Sequence, residues 1–258
     1  MKCGLCHAEV EKLSKSHIIP RALHLLGHEK GAHKPLLVMY ADEGKRVERS
    51  QAGFYSRIVC ANCEACFKAG DDALIEVSRT LSNAWPMKDG RGEITAFEFP
   101  NIDNGKLHRG VITTLFRMHL SDNDFYKHVD LPAKFAEPLR QALLSHEPSF
   151  QSQFDVVLRI TPTLPGKVIR SPHRLHFGDV NTYWLTFPYW TAVVKVDGQT
   201  SRLIRSVRIG AYSHPVAPVT PELNPSELRI IAKAMNGARE DVLRITGMKV
   251  ESNNSGHS

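Results

Sequence analysis

Long hydrophobic runs are missing from this 258-residue chain: the uncharged stretch Asn181–Val194 is only 14 residues long and contains Pro188. A bilayer-spanning helix needs about 20 apolar residues, so a membrane span is not expected. An apolar leader is also missing, since the chain opens Met1-Lys2-Cys3 and so reads as cytosolic. No internal repeat occurs, and no low-complexity block precedes a short polar tail at 251–258, which argues against solenoid architectures and long disordered linkers. Cysteine is scarce at five residues, too few for a disulfide scaffold in a chain this long. Charge is not extreme either: 33 Lys and Arg against 27 Asp and Glu give +6, with thirteen histidines in reserve at lower pH. A mildly basic balance favours an acidic partner such as nucleic acid without requiring one. What remains is ordinary globular composition, 42% hydrophobic and 23% charged, in a chain long enough for one domain with a pinned subdomain or for two domains.

Four of the five cysteines fall in two pairs, Cys3-x2-Cys6 and Cys60-x2-Cys63. At this spacing a tight turn can aim two thiolates at one ion, and two such knuckles supply the four sulfurs of a closed tetrahedral zinc site. A reducing compartment argues against disulfides, and a thioredoxin-like redox pair would need one Cys-x2-Cys opening a helix beside a strand-rich unit. Cys3, Cys6, Cys60 and Cys63 are therefore the expected ligands of a structural Zn2+, pinning residues 1 to about 85 as one unit. Cys66 falls outside the pair spacing and is expected to be a small buried thiol.

Between and after the knuckles lie Ser16-His17-Ile18-Ile19-Pro20 and Cys60-Ala61-Asn62-Cys63-Glu64. Here the chain resembles the HNH endonucleases, whose ββα-metal site is often clasped by a four-cysteine zinc. Within that likeness it is closest to a bacterial subgroup carrying Ser-His-Ile-Ile-Pro and Cys-x2-Cys-Glu, whose activity is inferred and not established. The stretch Val111–Met118 and the pair Leu139-Arg140 also resemble the second half of those proteins. The resemblance implies that His17 is the general base that activates a water for attack on phosphorus, a task suited to imidazole near neutral pH. The chain departs from the family at the catalytic metal. Ser16 stands where many members have an aspartate, Glu64 where they have a histidine, and the central Asn has no counterpart in Gly53–Val59. Glu64 can bind a hard Mg2+ or Mn2+ through oxygen, so it is the second candidate catalytic residue. On an ideal helix Asp71 shares its face but lies roughly 10 Å further along, so Asp71 and Asp72 are weaker candidates unless the helix bends. The bland alternative for Glu64 is an i,i+4 pair with Lys68. Lys12, Lys15 and Arg21 flank His17 and are placed for phosphate contact, although charged flanks are common at any exposed helix start.

The pattern predicts an α+β protein: a zinc-clasped ββα-metal-like N-terminal module at 1–88, an α+β region at 89–250 that begins helical and turns β-rich, and a disordered tail at 251–258. In detail, a helix starts at Pro20, a strand covers Leu36–Tyr40 with a turn at Asp42-Glu43-Gly44, and Arg46–Val59 holds one or two more strands. A single helix is expected from Glu64 to about Asn83, closed by Trp85-Pro86, then a loop at Asp89–Gly92. Helices follow at about Asn104–Leu120 and Pro132–Leu144. Strands are expected at Val156–Ile160, Tyr183–Phe187, Thr191–Val196 and Leu203–Ile209, with a hairpin turn at Asp197-Gly198 and closing helices at Ser226–Met235 and Arg239–Ile245. Arg202, Arg205 and Arg208 would then split between two faces of a strand, and His173, Arg174 and His176 form a second loose basic group. The expected function is metal-dependent phosphodiester hydrolysis of nucleic acid, DNA ahead of RNA. The alternative is a zinc-stabilised nucleic-acid-binding or protein-docking module without catalysis.

Overall fold

The computed structural model describes residues 1–26, 36–40, 47–50, 53–81, 84–145, 154–160, 168–177 and 180–219. The expected turn at 42–44, the closing helices and the tail lie outside these residues. The chain is a mixed α/β structure with a four-cysteine cluster near its N-terminus and a β-rich C-terminal region.

The N-terminal elements are short. Strand β1 (Ser16–His17) leads through Pro20 into helix α1 (Arg21–Leu26), then come β2 (Leu36–Met39), β3 (Val47–Ser50) and β4 (Tyr55–Ser56). β1 pairs antiparallel with β4, placing His17 opposite Tyr55 and Ser16 opposite Ser56. From β4 the chain runs through Val59 into helix α2 (Ala61–Ala65), and helix α3 (Lys68–Thr80) follows. The single helix expected from Glu64 is thus two. Cys66 and Phe67 close three-residue turns onto Cys63 and Glu64 (3.2 and 3.1 Å) before Asp71 resumes the four-residue spacing onto Phe67. Phe67 is buried at this break and Cys66 is exposed, against the expectation of a buried thiol. The break lets Cys63 face the cluster while the apolar face of α3 turns to the core.

Trp85-Pro86 does not cap a helix. It belongs to β5 (Trp85–Lys88), which forms a hairpin with β6 (Ile94–Glu98), so the loop at Asp89–Gly92 is a hairpin connection. Asp89 sets that turn by accepting from the N–H groups of Arg91 and Glu93 (2.8 and 3.0 Å). Helix α4 (Asn104–Leu120) follows, N-capped by Asp103, whose carboxylate accepts from the Lys106 N–H at 2.7 Å. Its stripe of Leu107, Val111, Leu115 and Met118 is buried as the periodicity requires. α3 lies against α4 at two glycines: a Cβ on Gly70 would sit 2.7 Å from the Gly110 Cα, so this crossing admits no larger residue. Helix α5 (Ala133–Ser145) follows a short turn at Asp124–Tyr126.

The C-terminal region builds an antiparallel sheet from β7 (Val156–Ile160), β9 (His173–Phe177), β10 (Val180–Phe187) and β11 (Trp190–Lys195), in the order β7-β11-β10-β9. Strand β8 (Val168–Arg170) instead pairs parallel with β2, and a late strand β12 (Val216–Pro218) pairs with β6. Sheets therefore join residues on both sides of position 88, and one hydrophobic cluster runs from Cys3 to Ala217. The tight hairpin of the sheet is at Pro188-Tyr189, where Tyr189 takes φ 74°, and not at Asp197-Gly198. Asp197 instead uses its carboxylate to gather Asn181 and the Gln199 N–H. The strand expected at Leu203–Ile209 is a helix, α6 (Arg202–Val207), started by Ser201, whose Oγ accepts from the Ile204 N–H. Ile204 alone in α6 is buried while Leu203 is 59% exposed, so the segment expected as a strand is a short helix with a single core contact. Arg208 leaves this helix to bond the Asp155 carboxylate at 2.6 Å, and His173, Arg174 and His176 lie on the edge strand β9.

Candidate functional site

The two knuckles meet. The sulfurs of Cys3, Cys6, Cys60 and Cys63 all lie within 4.8 Å of one another, with Cys6 and Cys60 3.9 Å apart. The first knuckle is a tight turn in which the Cys3 carbonyl accepts from the His7 N–H, and His7 takes φ 62° to close it. Gly4 is wedged between Ile58 and Leu120, where an added Cβ would meet the Ile58 carbonyl at 2.9 Å. The second knuckle is the start of α2, with Cys60 as the capping residue and its N–H donating to the Cys3 sulfur at 3.3 Å. A third element braces the pair: Arg140 on α5 donates to the Leu5 carbonyl at 2.7 Å and grips Glu137 with its other nitrogens.

The electrostatics of the four thiols are those of a cation site. Burial pushes the Cys3 thiol up, but backbone N–H groups of Cys6, Cys60 and Leu5 outweigh it and draw the thiol down to about 6. Burial together with the other three cysteines pushes Cys63 well above the thiol range. One sulfur ionises readily and its charge holds a neighbour protonated, a conflict that a divalent cation at the centre resolves. Four sulfurs, three of them on buried residues, form a donor set that suits a soft or borderline ion and leaves no position for water. The cluster can therefore hold a metal such as zinc. Among the described residues it is the one place where three or more His, Cys, Asp or Glu donors converge.

No protein-family model, curated protein or solved structure matches the chain. Its site is read from its own residues.

Between the knuckles, His17 stands half-buried on β1 with its ring 6.2 Å from that of Tyr55 across the strand pair. Burial lowers its pKa, and the nearby cations Lys15, Arg21 and Arg117 lower it further, while Asp71 opposes them. These influences favour the neutral imidazole over the imidazolium. Lys15 lies with its Nζ 3.7 Å over the Tyr55 ring, Arg21 opens α1, and Lys12 is exposed on the preceding loop.

Arg117 organises the site, and sequence reasoning missed it. Its side chain is 1% exposed, and it bonds both oxygens of Asp71 (2.5 and 3.1 Å), the His17 carbonyl (2.8 Å) and Thr114 Oγ1 (3.3 Å). Its guanidinium carbon also lies 5.2 Å from the Phe67 ring centroid, at the break between α2 and α3. The available signal was a lone charge inside the otherwise uncharged run Gly110–Met118 of a helix. Such an arginine is buried only when most of its donors are met, and here Nε alone lacks a partner. Asp71, placed second to Glu64 because an unbroken helix would carry it away, is the carboxylate that acts on His17. Burial raises the Asp71 carboxyl despite the opposing pull of Arg117. Glu64 lies partly buried on α2, and its Oε2 is enclosed without a hydrogen-bond partner. Lys68, the partner in the alternative reading of Glu64, pairs instead with Asp72, 2.8 Å from its ammonium.

Proposed function

We propose that this chain is a zinc-clasped phosphodiesterase of the HNH type acting on nucleic acid, DNA ahead of RNA, with His17 as general base. The observation that carries the reading is the setting of His17: a half-buried imidazole whose pKa burial and nearby cations draw down, on a two-residue strand whose backbone is held by Arg117. β1, β4 and the helices that follow make up a ββα-metal-like module under this reading, with Zn2+ in the four-cysteine cluster as its structural clasp. His17 accepts a proton from water as the water oxygen bonds to phosphorus and the sugar oxygen leaves. Lys15 and Arg21 supply positive charge beside that reaction, where an incoming phosphate is oriented. The family resemblance implies a divalent ion, Mg2+ or Mn2+, whose chemistry when bound is to stabilise the phosphate and the leaving oxygen. Glu64 is the residue that would hold it, its orphaned Oε2 being a hard oxygen donor.

The alternative, a zinc-stabilised nucleic-acid-binding or protein-docking module without catalysis, is favoured by one observation. Arg117 already occupies both oxygens of Asp71, the carboxylate nearest in influence to His17. The two readings part on cleavage of plasmid DNA and total RNA by the purified chain with Mg2+, Mn2+, Ni2+ or Zn2+. Hydrolysis that prefers the hard ions and is lost in Glu64→Gln supports the enzyme. Retention of nucleic acid with no cleavage under any ion supports the binding module.

A further inference from the structure

A concavity lies where α5, the start of β7 and the loop between β11 and α6 come together. Its volume is about 290 Å³, and its walls include Lys134, Phe135, Asp155, Lys195, Gly198 and Arg205. The floor is a closed ionic set. Asp155, 5% exposed, is bonded by Arg208 at 2.6 Å and lies 3.8 Å from the Lys195 ammonium. Lys195, 7% exposed, donates to the Asp197 and Gln199 carbonyls at 2.9 Å each, which fixes the loop over it. Counting Arg208 behind the wall and the carboxylate of Asp197 at its side, two negative charges stand against those of Lys195 and Arg208, and this set is neutral.

The mouth is not balanced. Lys134 and Arg205 are both exposed, and neither forms an ion pair among the described residues. Lys134 lies with its Nζ 5.2 Å from the Phe135 ring centroid, so it stands over an aromatic surface with no carboxylate to meet it. Two uncompensated positive charges at the edge of a small cavity complement a ligand carrying about two negative charges, and a phosphate monoester has that charge at pH 7. The cavity is too small for a polymer but suits one compact ester, its phosphate at the mouth and its organic part against Phe135 and the 198–200 backbone.

We propose that this cavity binds a small phosphate monoester, a sugar phosphate or a mononucleotide, with Lys134 and Arg205 as the phosphate-reading residues. The site is independent of His17 and stands whether or not the chain hydrolyses phosphodiesters.

The test is calorimetric titration of the full chain with ribose 5-phosphate, AMP, inorganic phosphate and adenosine. Binding of either ester supports the proposal: ribose 5-phosphate alone, or both esters equally, assigns recognition to the sugar phosphate, and preference for AMP assigns it to the base. Lys134→Glu and Arg205→Glu should each weaken the ester by about tenfold or more while leaving the melting temperature unchanged, since both side chains are exposed. Gly198→Asp provides a variant that does not touch the cations. A Cβ there meets no atom within 4 Å, so the fold is kept while a negative charge is added to the wall, and affinity should fall. Absence of ester binding, inorganic phosphate or adenosine binding as tightly as the esters, or all three variants binding like wild type overturns the proposal.

Discussion

Removing Asp71 tests whether Arg117 is the keystone described above. In Asp71→Ala the guanidinium, 1% exposed, loses two of its charge-assisted bonds and keeps only the His17 carbonyl and Thr114. Breaking a buried ion pair from one side costs about 3–5 kcal/mol, and the 21% exposure of Asp71 places this pair near the lower end, about 3 kcal/mol. For a chain of this size that lowers Tm by about 6–12 °C. Arg117→Met behaves differently because the group left behind can neutralise itself. Burial already raises the Asp71 carboxyl above its ordinary 3.8, so between that value and the raised one the folded chain holds a proton that the unfolded chain has lost. Stability from this group therefore falls as pH rises through that window. Deleting Arg117 removes the main opposing influence and widens the window, so Arg117→Met should cost more at about pH 8 than at about pH 5. The pair Asp71→Ala with Arg117→Met should cost less than the two single changes together, since neither charge remains buried. Denaturant midpoints at both pH values decide the matter. An Asp71→Ala loss below about 1 kcal/mol, or a strictly additive double variant, refutes the reasoning.

Other expectations follow from the same geometry. Serine at Cys3, Cys6, Cys60 or Cys63 should abolish stoichiometric metal, one zinc per chain by elemental analysis, and unfold the clasp, because a hydroxyl is a poor ligand for a borderline-soft ion. Gly70→Ala should destabilise by about 1–3 kcal/mol, since its Cβ would press on the Gly110 backbone at 2.7–2.8 Å; a neutral denaturation curve would contradict the close α3–α4 crossing. The acid limb of any pH–rate profile should lie below the ordinary histidine value of 6.5, and Lys15→Ala or Arg21→Ala should move it upward, because both cations depress His17.

The four-cysteine cluster was legible in the sequence because Cys-x2-Cys is a local geometric instruction, and two copies need only be brought together. The long helix α4 was legible from its Leu107, Val111, Leu115 and Met118 stripe and β7 from an alternation its burial follows, whereas β10 and β11, buried on both faces, were legible as β-branched and aromatic runs bounded by turn residues. What the sequence hid was decided by tertiary contact. The break at Cys66-Phe67 carries no proline or glycine; it arises where Cys63 must face the clasp and Phe67 the core. Beyond that break Asp71 pairs with Arg117 and acts electrostatically on His17, which an unbroken helix would not suggest. The partner of Asp71 lies 46 residues away on α4, at a distance no local pattern reports. Helix α6 was misread because Leu203, Ile204, Val207 and Ile209 are residue types that also suit a strand, while the Ser201 cap and one buried isoleucine suffice for a short helix. The parallel pairing of β2 with β8 had no sequence signal, as both strands are short and far apart in the chain.

The central claim is that His17 is a base and not a packed structural histidine. Its most direct test is single-turnover cleavage of a labelled DNA by wild type and His17→Ala, with zinc content and melting followed on the same samples, and with imidazole added back. The account predicts a rate loss of roughly 10²–10⁴-fold at unchanged zinc content and nearly unchanged Tm, with partial recovery by free imidazole. Cleavage by His17→Ala at the wild-type rate, or an inactive wild type whose His17→Ala variant loses its fold, would contradict it.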